Sequence, residues 1–335
     1  MPGVPKKGWK DIQSKHKQNK RTKLALFILA LVAGMLIISW AIRLTERLSS
    51  PLGALQQRNY VWNGEFNINL LLRTSHISLL TYNPKEEKIT IIKAPDELFL
   101  DVPFGFGKWQ LRAVYELGQT QKVGSGNRLL KDTLTSFFAV PIDGFLDFSS
   151  LQSTKSASEI VEVLRGNPFS GLNLLSSLKT DLTVWELLRL KASLSRVRFD
   201  KVKELDLTSL GVLERENLPD GTEVLTTDPV KLDSVLSDLV DPVIVSEHKT
   251  IAVFNATERG QLAGKWARLI TNLGGNVIIT NNAKERLKKT KVLGEKSLTL
   301  KRIRQSIGDY DTISPSNEDV NSSRAQINVF IGEDK

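Results

Sequence analysis

The chain has 335 residues, 41% hydrophobic and 25% charged, with a formal net charge of +9 and no cysteine. That length allows more than one domain with a core of its own, and the lack of cysteine excludes disulfides, thiolate-bound zinc and a thiol nucleophile. The positive charge is concentrated, with eight bases against one acid in residues 1–23 and nine against two in residues 284–304. The remainder is net acidic, so nucleic acid is not an expected partner.

Residues 1–23 read as a basic cytoplasmic tail. Leu24 to Ile42, LALFILALVAGMLIISWAI, has no charge and no proline. As a helix it reaches about 28 Å, enough for a hydrocarbon core of about 30 Å, so residues 24–43 are expected to form a transmembrane helix in contact with membrane lipid. The run is longer than a signal-peptide core and lacks a small-x-small site, and Ser39 alone interrupts it, where a soluble helix would show a polar face. The basic tail orients it with the amino terminus inside, which predicts a single-pass plasma-membrane protein whose later domains are extracytoplasmic. Residues 44–59, with Pro51 and Gly53, read as a stalk.

From residue 60 a β pattern begins. Phe66 to Leu72 and Ile77 to Tyr82 are apolar runs, Asn83-Pro84-Lys85-Glu86 is turn chemistry, and Lys88 to Ala94 is a β-branched run. Runs apolar on both faces predict a central sheet covered by helices. Gly105-Phe106-Gly107 predicts a bend, and Asn127 to Phe138 a helix with Leu129, Leu130, Leu134, Phe137 and Phe138 on its apolar side. Pro141 to Phe148 predicts a short strand, and Glu159 to Leu164 a helical turn or two. Thr180-Asp181 is read as the cap of a helix through Trp185, Leu187, Leu188 and Leu190. Glu223 to Thr227 reads as a strand and Pro229 to Val240 as a closing helix, with a boundary at Asp241-Pro242.

A second α/β rhythm follows. Thr250 to Phe254 and Asn276 to Thr280 are strands separated by an amphipathic helix over Leu262 to Leu273 and the stop Gly274-Gly275, a β-α-β unit with parallel strands. After the basic stretch and a Ser/Asn/Asp-rich loop at 311–323, Gln326 to Ile331 ends the chain as a strand. The expected organisation is α/β throughout: an anchor, a mixed sheet flanked by helices at 60–241, and a small α/β domain at 244–335.

LLTYNPKEEKITIIKAPDELFLDVP at 79–103 resembles the LytR-CpsA-Psr family, in which strand, Asn-Pro turn, strand and Pro-Arg-Asp loop follow in this order. VPIDGFLDF at 140–148 is similar to that family's Ile-Pro-Ile-Asp turn entering a strand. VFNATERGQLA at 253–263 and INVFIGED at 327–334 resemble the opening and close of the small carboxy-terminal domain often appended to it. The resemblance implies an envelope phosphotransferase that moves a glycopolymer from polyprenyl pyrophosphate to peptidoglycan, with arginines and Mg²⁺ neutralising diphosphate charge.

The sequence departs from that pattern where the chemistry would sit. Leu72 runs directly into Arg73-Thr74-Ser75-His76 where the family has Gly-x-Asp-x-Arg, and Ser75 stands for a later Asp. The Pro-Arg-Asp loop is Pro95-Asp96-Glu97, which puts a negative charge where a phosphate-binding arginine belongs. Between Ser149 and Trp185 Arg165 is the only arginine, where the family has Arg-x-Arg and Arg-x-x-Arg-Gln. Two readings follow: a degenerate, non-catalytic binding or scaffolding member acting in cell-wall biogenesis, or an active phosphotransferase with a rearranged pocket. No cofactor is evident, and Mg²⁺ belongs to the second reading alone. A transcriptional regulator is disfavoured, because a 23-residue cytoplasmic tail has no room for a DNA-reading fold.

The candidate anion or pyrophosphate ligands are Arg73, Lys93, Lys108 and Arg112, which otherwise read as ordinary surface bases; Lys108 loosely matches a family lysine. Lys284, Arg286, Lys288, Lys289 and Lys291 are the candidate patch for an anionic wall polymer, and otherwise a solvated helical face. Gly124-Ser125-Gly126 reads as a phosphate loop or a plain turn. His16, His76 and His248 are isolated from one another and from acidic pairs, so no metal site is expected. The expected partners are a polyprenyl-linked glycan, peptidoglycan or an anionic wall polymer.

Overall fold

The computed structural model describes residues 26–27, 29–36, 39, 60–121, 125–150, 156–166, 178–218, 221–308 and 323–335. The basic tail, most of the 24–43 span, the 44–59 stalk, Gly124 and nearly all of the 311–323 loop lie outside them. Residues 26–27, 29–36 and 39 are helical, with Leu26, Phe27 and Met35 exposed. Among the described residues no helix is long and apolar enough to cross a membrane. Residues 50–335 form one compact unit and residues 1–49 another.

The sheet is built first from local strands. β1 (Ile68–Arg73), β2 (Ile77–Asn83) and β3 (Lys88–Lys93) form an antiparallel meander. The Asn83 side chain makes the β2–β3 turn, accepting from the backbone N–H groups of Lys85 and Glu86 at 3.0 and 3.1 Å. The predicted bend at 105–107 is the tip of a hairpin, β4 (Phe99–Val102) and β5 (Gly107–Gln110), in which Gly105 and Gly107 adopt φ of +83° and +73°.

α1 (Leu111–Thr120) and α2 (Gly126–Phe138) then cover one face of the sheet, packing Leu111, Val114, Leu129, Leu130 and Leu134 with Leu71, Leu79 and Ile92. Ser125 caps α2 by accepting from Arg128 N–H at 3.2 Å. Gly126 lies against α1, where a Cβ would stand 2.4 Å from the Tyr115 carbonyl oxygen. The described part of the Gly-Ser-Gly stretch is therefore a cap and a packing notch.

β6 (Gly144–Asp147) joins β1 in parallel, and β7 (Lys179–Thr180) closes that edge. Leu146 stands opposite Leu72 on the second face, which α3 (Ala157–Arg165) and α4 (Val184–Leu194) cover. The α4 cap is Thr183, not Thr180-Asp181. Thr183 and Glu186 form a capping box. Asp181 instead accepts from Phe145 N–H at 2.8 Å and binds Lys131 at 3.4 Å.

β8 (Val202–Asp206) completes the sheet beside β3, giving the order β7-β6-β1-β2-β3-β8, mixed as expected. A β9 (Leu213–Asn217) and β10 (Glu223–Thr227) hairpin and α5 (Pro229–Val235) follow.

α6 (Pro242–Glu247) leads into the tail module: β11 (Thr250–Asn255), α7 (Leu262–Asn272), β12 (Asn276–Asn282), β13 (Lys291–Gly294), α8 (Leu298–Ile307) and β14 (Ile327–Ile331). Its sheet order is β12-β11-β14-β13, with β11 parallel to both β12 and β14. The β-α-β unit stands where it was expected. The basic stretch, however, is not a helical face. Its first half crosses the sheet edge into β13, and its second half enters α8.

Arg302 of α8 is fully buried and forms a bidentate pair with Asp143, at 2.9 and 3.1 Å. It also reaches the Asn67 carbonyl oxygen at 3.3 Å. Asp241, buried at the module junction, caps α6 and accepts from Asn67 N–H at 2.9 Å. Burial raises its carboxyl above the usual range, against the backbone N–H groups of Asn67 and Val243 that favour its charge. On the other side of the junction Arg268 of α7 pairs with Asp233 of α5 at 2.7 and 2.8 Å.

Replacing Arg302 by Ala strands a buried carboxylate and is expected to destabilise residues 60–335 by about 3–5 kcal/mol in denaturant unfolding. Arg302→Met with Asp143→Asn removes that stranded charge and should recover part of the loss. A double variant no more stable than Arg302→Ala would refute the account.

Candidate functional site

The carboxyl ends of β1 and β6 hold the polar cluster in which the resemblance places phosphate chemistry. Arg73 and Asp147 stand opposite each other in the ladder, and their side chains meet at 3.0 Å. Arg73 also donates to Ser149 Oγ at 2.9 Å, and its guanidinium lies 3.4 Å from the centre of the Tyr115 ring. Asp147 is buried and accepts from Asn127 Nδ2 at 3.0 Å, Ser149 Oγ at 2.7 Å and Ser149 N–H at 3.0 Å. Burial alone pushes its carboxyl up. The bonds from Ser149 and Asn127, with the Arg73 charge, outweigh that and hold it below the ordinary value.

The other predicted ligands go to separate partners. Lys93, at the end of β3, is ion-paired with Glu204. Lys108 is exposed on β5, opposite Asp101. Arg112, exposed at the start of α1, donates to Gln110 Oε1 at 3.0 Å. Asp96, which stands where a family arginine is expected, contacts His76 Nδ1 at 2.9 Å. The fold brings this single acid to His76 across a 20-residue separation in sequence. Among the described residues no group of three or more His, Asp and Glu side chains is placed to hold a metal ion.

On the second face, a cavity of about 10 Å³ lies among Leu146, Leu164, Leu187, Leu190 and Lys191. It has room for about one water. Lys191 crosses it to donate to the carbonyl oxygens of Leu164 and Gly166 at 2.7 and 3.2 Å, satisfying the carboxyl end of α3. Burial lowers its pKa. An isoprenoid chain does not fit this space.

A larger cavity, about 310 Å³, opens at the carboxyl ends of β11 and β12. Asn255, Thr257, Glu258, Arg259, Lys284 and Arg286 are among its lining residues. Thus Lys284 and Arg286 of the predicted basic patch share one cavity, while Lys288, Lys289 and Lys291 are exposed beside it. Arg286 is ion-paired with Glu258, and Arg259 donates to the Glu333 carbonyl oxygen at 3.2 Å. Arg302 and Arg304 of the same basic stretch are structural: Arg304 donates to the Val292 carbonyl oxygen at 2.7 and 3.1 Å. Arg259 was not read as a site residue, because it lies 25 residues before Lys284 and only the fold joins them.

Residues 249–334 match the family model described as LytR cell envelope-related transcriptional attenuator. The tail module is similar to that LytR_C domain. No curated protein matches the chain. Among solved structures, TagT of Bacillus subtilis is similar at 16% identity, over 52% of this chain and 90% of that one, with a TM-score of 0.37. The LytR-CPS2A-psr family protein YwtF (TagT) of B. subtilis, with bound octaprenyl pyrophosphate lipid, gives 15% identity over 53% and 91%, with a TM-score of 0.36. A transcriptional regulator from Enterococcus faecalis gives 13% over 63% and 88%, with a TM-score of 0.36. Scores of this size carry no argument about chemistry.

The depressed Asp147 carboxyl has a definite pH consequence. Its pairing stabilises the fold above the unfolded-state value of about 3.9 and is lost as pH falls through the lower folded value. Asp147→Asn should therefore lower stability by about 2 kcal/mol near neutrality. The difference from the parent should shrink as the pH falls below about 4. A difference constant with pH would show that the carboxylate charge is not what holds Arg73.

Proposed function

We propose that the chain is a membrane-anchored envelope protein of the LytR-CpsA-Psr type that binds or scaffolds at the cell wall without catalysing phosphoryl transfer. One observation carries the reading: the Arg73 guanidinium is bonded to Asp147 and Ser149 and covered by Tyr115. Phosphoryl transfer requires cations aimed at the phosphate oxygens and free to bind them. Here a diphosphate has to displace a buried, hydrogen-bonded aspartate to reach Arg73, while Asp96 adds repulsion near the same edge. The LytR_C-like module and the ordered motifs at 79–103 and 140–148 support the envelope role, and the apolar run at 24–42 supports the anchor.

The full chain in detergent, offered a polyprenyl-pyrophosphate glycan, Mg²⁺ and peptidoglycan, should transfer no polymer above background. Transfer that Arg73→Ala or Lys108→Ala abolishes would establish the active phosphotransferase instead.

Topology is tested apart from chemistry. In intact cells with a permeabilised outer layer, added protease should degrade residues 60–335 and leave the basic tail protected, and alkaline washing should leave the chain in the membrane. Release on washing would remove the anchor.

A further inference from the structure

The cavity of the LytR_C-like module lies where open α/β sheets bind ligands, in the crevice outside the carboxyl ends of parallel strands. The Asn255 side chain shapes its rim, accepting from Thr257 N–H and Oγ1 at 3.1 and 2.8 Å and donating to the Arg259 carbonyl oxygen at 2.7 Å. The opposite rim is tied down by Ala283 N–H to the Asn255 carbonyl oxygen at 2.8 Å and Leu287 N–H to that of Ala256 at 2.9 Å. Two loops distant in sequence are thus fixed around one space of about 310 Å³, the size of a small-ligand site.

The charges around it are unequal in availability. Glu258 neutralises Arg286. The Arg259 guanidinium meets a backbone carbonyl and keeps its full charge. Lys284 has no ion pair among the described residues, and Glu285 is the remaining acid on the rim. Beyond the cavity Lys288, Lys289 and Lys291 are exposed on the connection into β13, with Glu333 and Asp334 beside them through Glu333 N–H to the Leu287 carbonyl oxygen at 3.0 Å and Thr290 N–H to Asp334 Oδ1 at 2.8 Å. A fixed seat followed by a row of cations suits a repeated anion better than a single small molecule. A phosphodiester fits the seat, being singly charged at every working pH and offering two oxygens to a guanidinium.

We propose that this cavity seats one phosphodiester of an anionic polymer through Arg259 and Lys284, with Lys288, Lys289 and Lys291 engaging the units that follow. The inference deepens the wall-binding reading and rests on it. Glu258 is the internal competitor of the ligand: it occupies Arg286, the third cation of the seat.

The test uses the full chain in detergent micelles and poly(glycerol phosphate) of defined length, with binding measured by titration calorimetry across a salt series. Arg259→Glu with Lys284→Glu should weaken binding about tenfold, the effect of roughly 1.4 kcal/mol, with the unfolding midpoint unchanged. Lys288→Glu with Lys289→Glu should weaken it less and mainly flatten the salt dependence. Glu258→Gln should tighten binding several-fold, whereas Glu295→Gln, remote from the cavity, should not.

Equal losses from the two double charge reversals would replace the seat by a diffuse field and overturn the proposal, as would no binding at low salt. Polyglutamate of matched charge binding as tightly would overturn the phosphodiester assignment. If isolated peptidoglycan still binds while poly(glycerol phosphate) does not, this site falls and the wall-binding function stands. If neither binds, both fall.

Discussion

The fold turns on one buried ion pair, Arg302 with Asp143. An arginine with no exposed surface is tolerable in a protein interior only when its charge is matched at short range, and here both terminal nitrogens are bonded while Nε alone is left without a partner. Asp143 supplies both oxygens, and the Asn67 carbonyl adds a further acceptor. Asp143 also accepts from Asn69 N–H at 2.9 Å, so the same carboxylate fixes the start of β1. Asn67 in turn gives its N–H to Asp241 and its side-chain amide to the carbonyl oxygens of Leu239 and Val240, 3.3 and 3.1 Å away. The first strand, the turn before β6, the module junction and α8 therefore meet in a single polar knot. A polar knot of this kind adds directionality that apolar packing lacks, since a slip of α8 by one residue would leave the Asp143 carboxylate without its arginine.

The opposite end of the same two strands repeats the device. β1 and β6 begin beside Asp143 and end at Arg73 and Asp147, so each end of this parallel pair carries an arginine matched to an aspartate. At the Arg73 end the match lies at the sheet edge, where a catalytic cation would have to remain available. The carboxylate that fixes Arg73 in the ladder also occupies its guanidinium, and Tyr115 covers one face of it. The altered loop follows the same logic, because Asp96 contacts His76 and so belongs to a local pair. Most polar groups at this edge are bonded to one another, Asn127 Oδ1 being a buried exception.

What was legible in the sequence was local. The strands at 68–93 follow from apolar runs around an Asn-Pro turn, and the β-α-β unit of the tail from alternating periods around Gly274-Gly275, because each depends on residues within a few positions of one another. The α4 cap was misplaced by three residues because Thr180 and Thr183 are both competent caps. The decision fell to Glu186, which is buried and also binds Trp62 N–H at 2.7 Å, 124 residues away in sequence. In sequence the β4–β5 hairpin shows only as a bend, because two glycines mark a turn without saying which strands it joins. Arg302 was hidden altogether: its partner lies 159 residues upstream, and in sequence it is one base among nine.

The stretch from Lys284 to Arg304 looks uniform in composition, yet the fold divides it by geometry. On α8, Arg302 and Arg304 turn inward or along the sheet, where the first finds an aspartate and the second a carbonyl, while Lys301 stays exposed and pairs with Glu65, because a helix packed on a sheet turns about half its residues toward it. Bases on the loop before β13 have no such constraint and stay in solvent, apart from Arg286 and its partner Glu258. The loop bases, with Lys291 and Lys296, add to the field outside the protein, and the loop bases stand at the carboxyl edge of the parallel strands, beside the loop that carries Arg259. A net charge counted along the chain overstates the field. The part that survives folding is smaller, and it is concentrated on connecting segments, which a rigid sheet can hold in place for recognition.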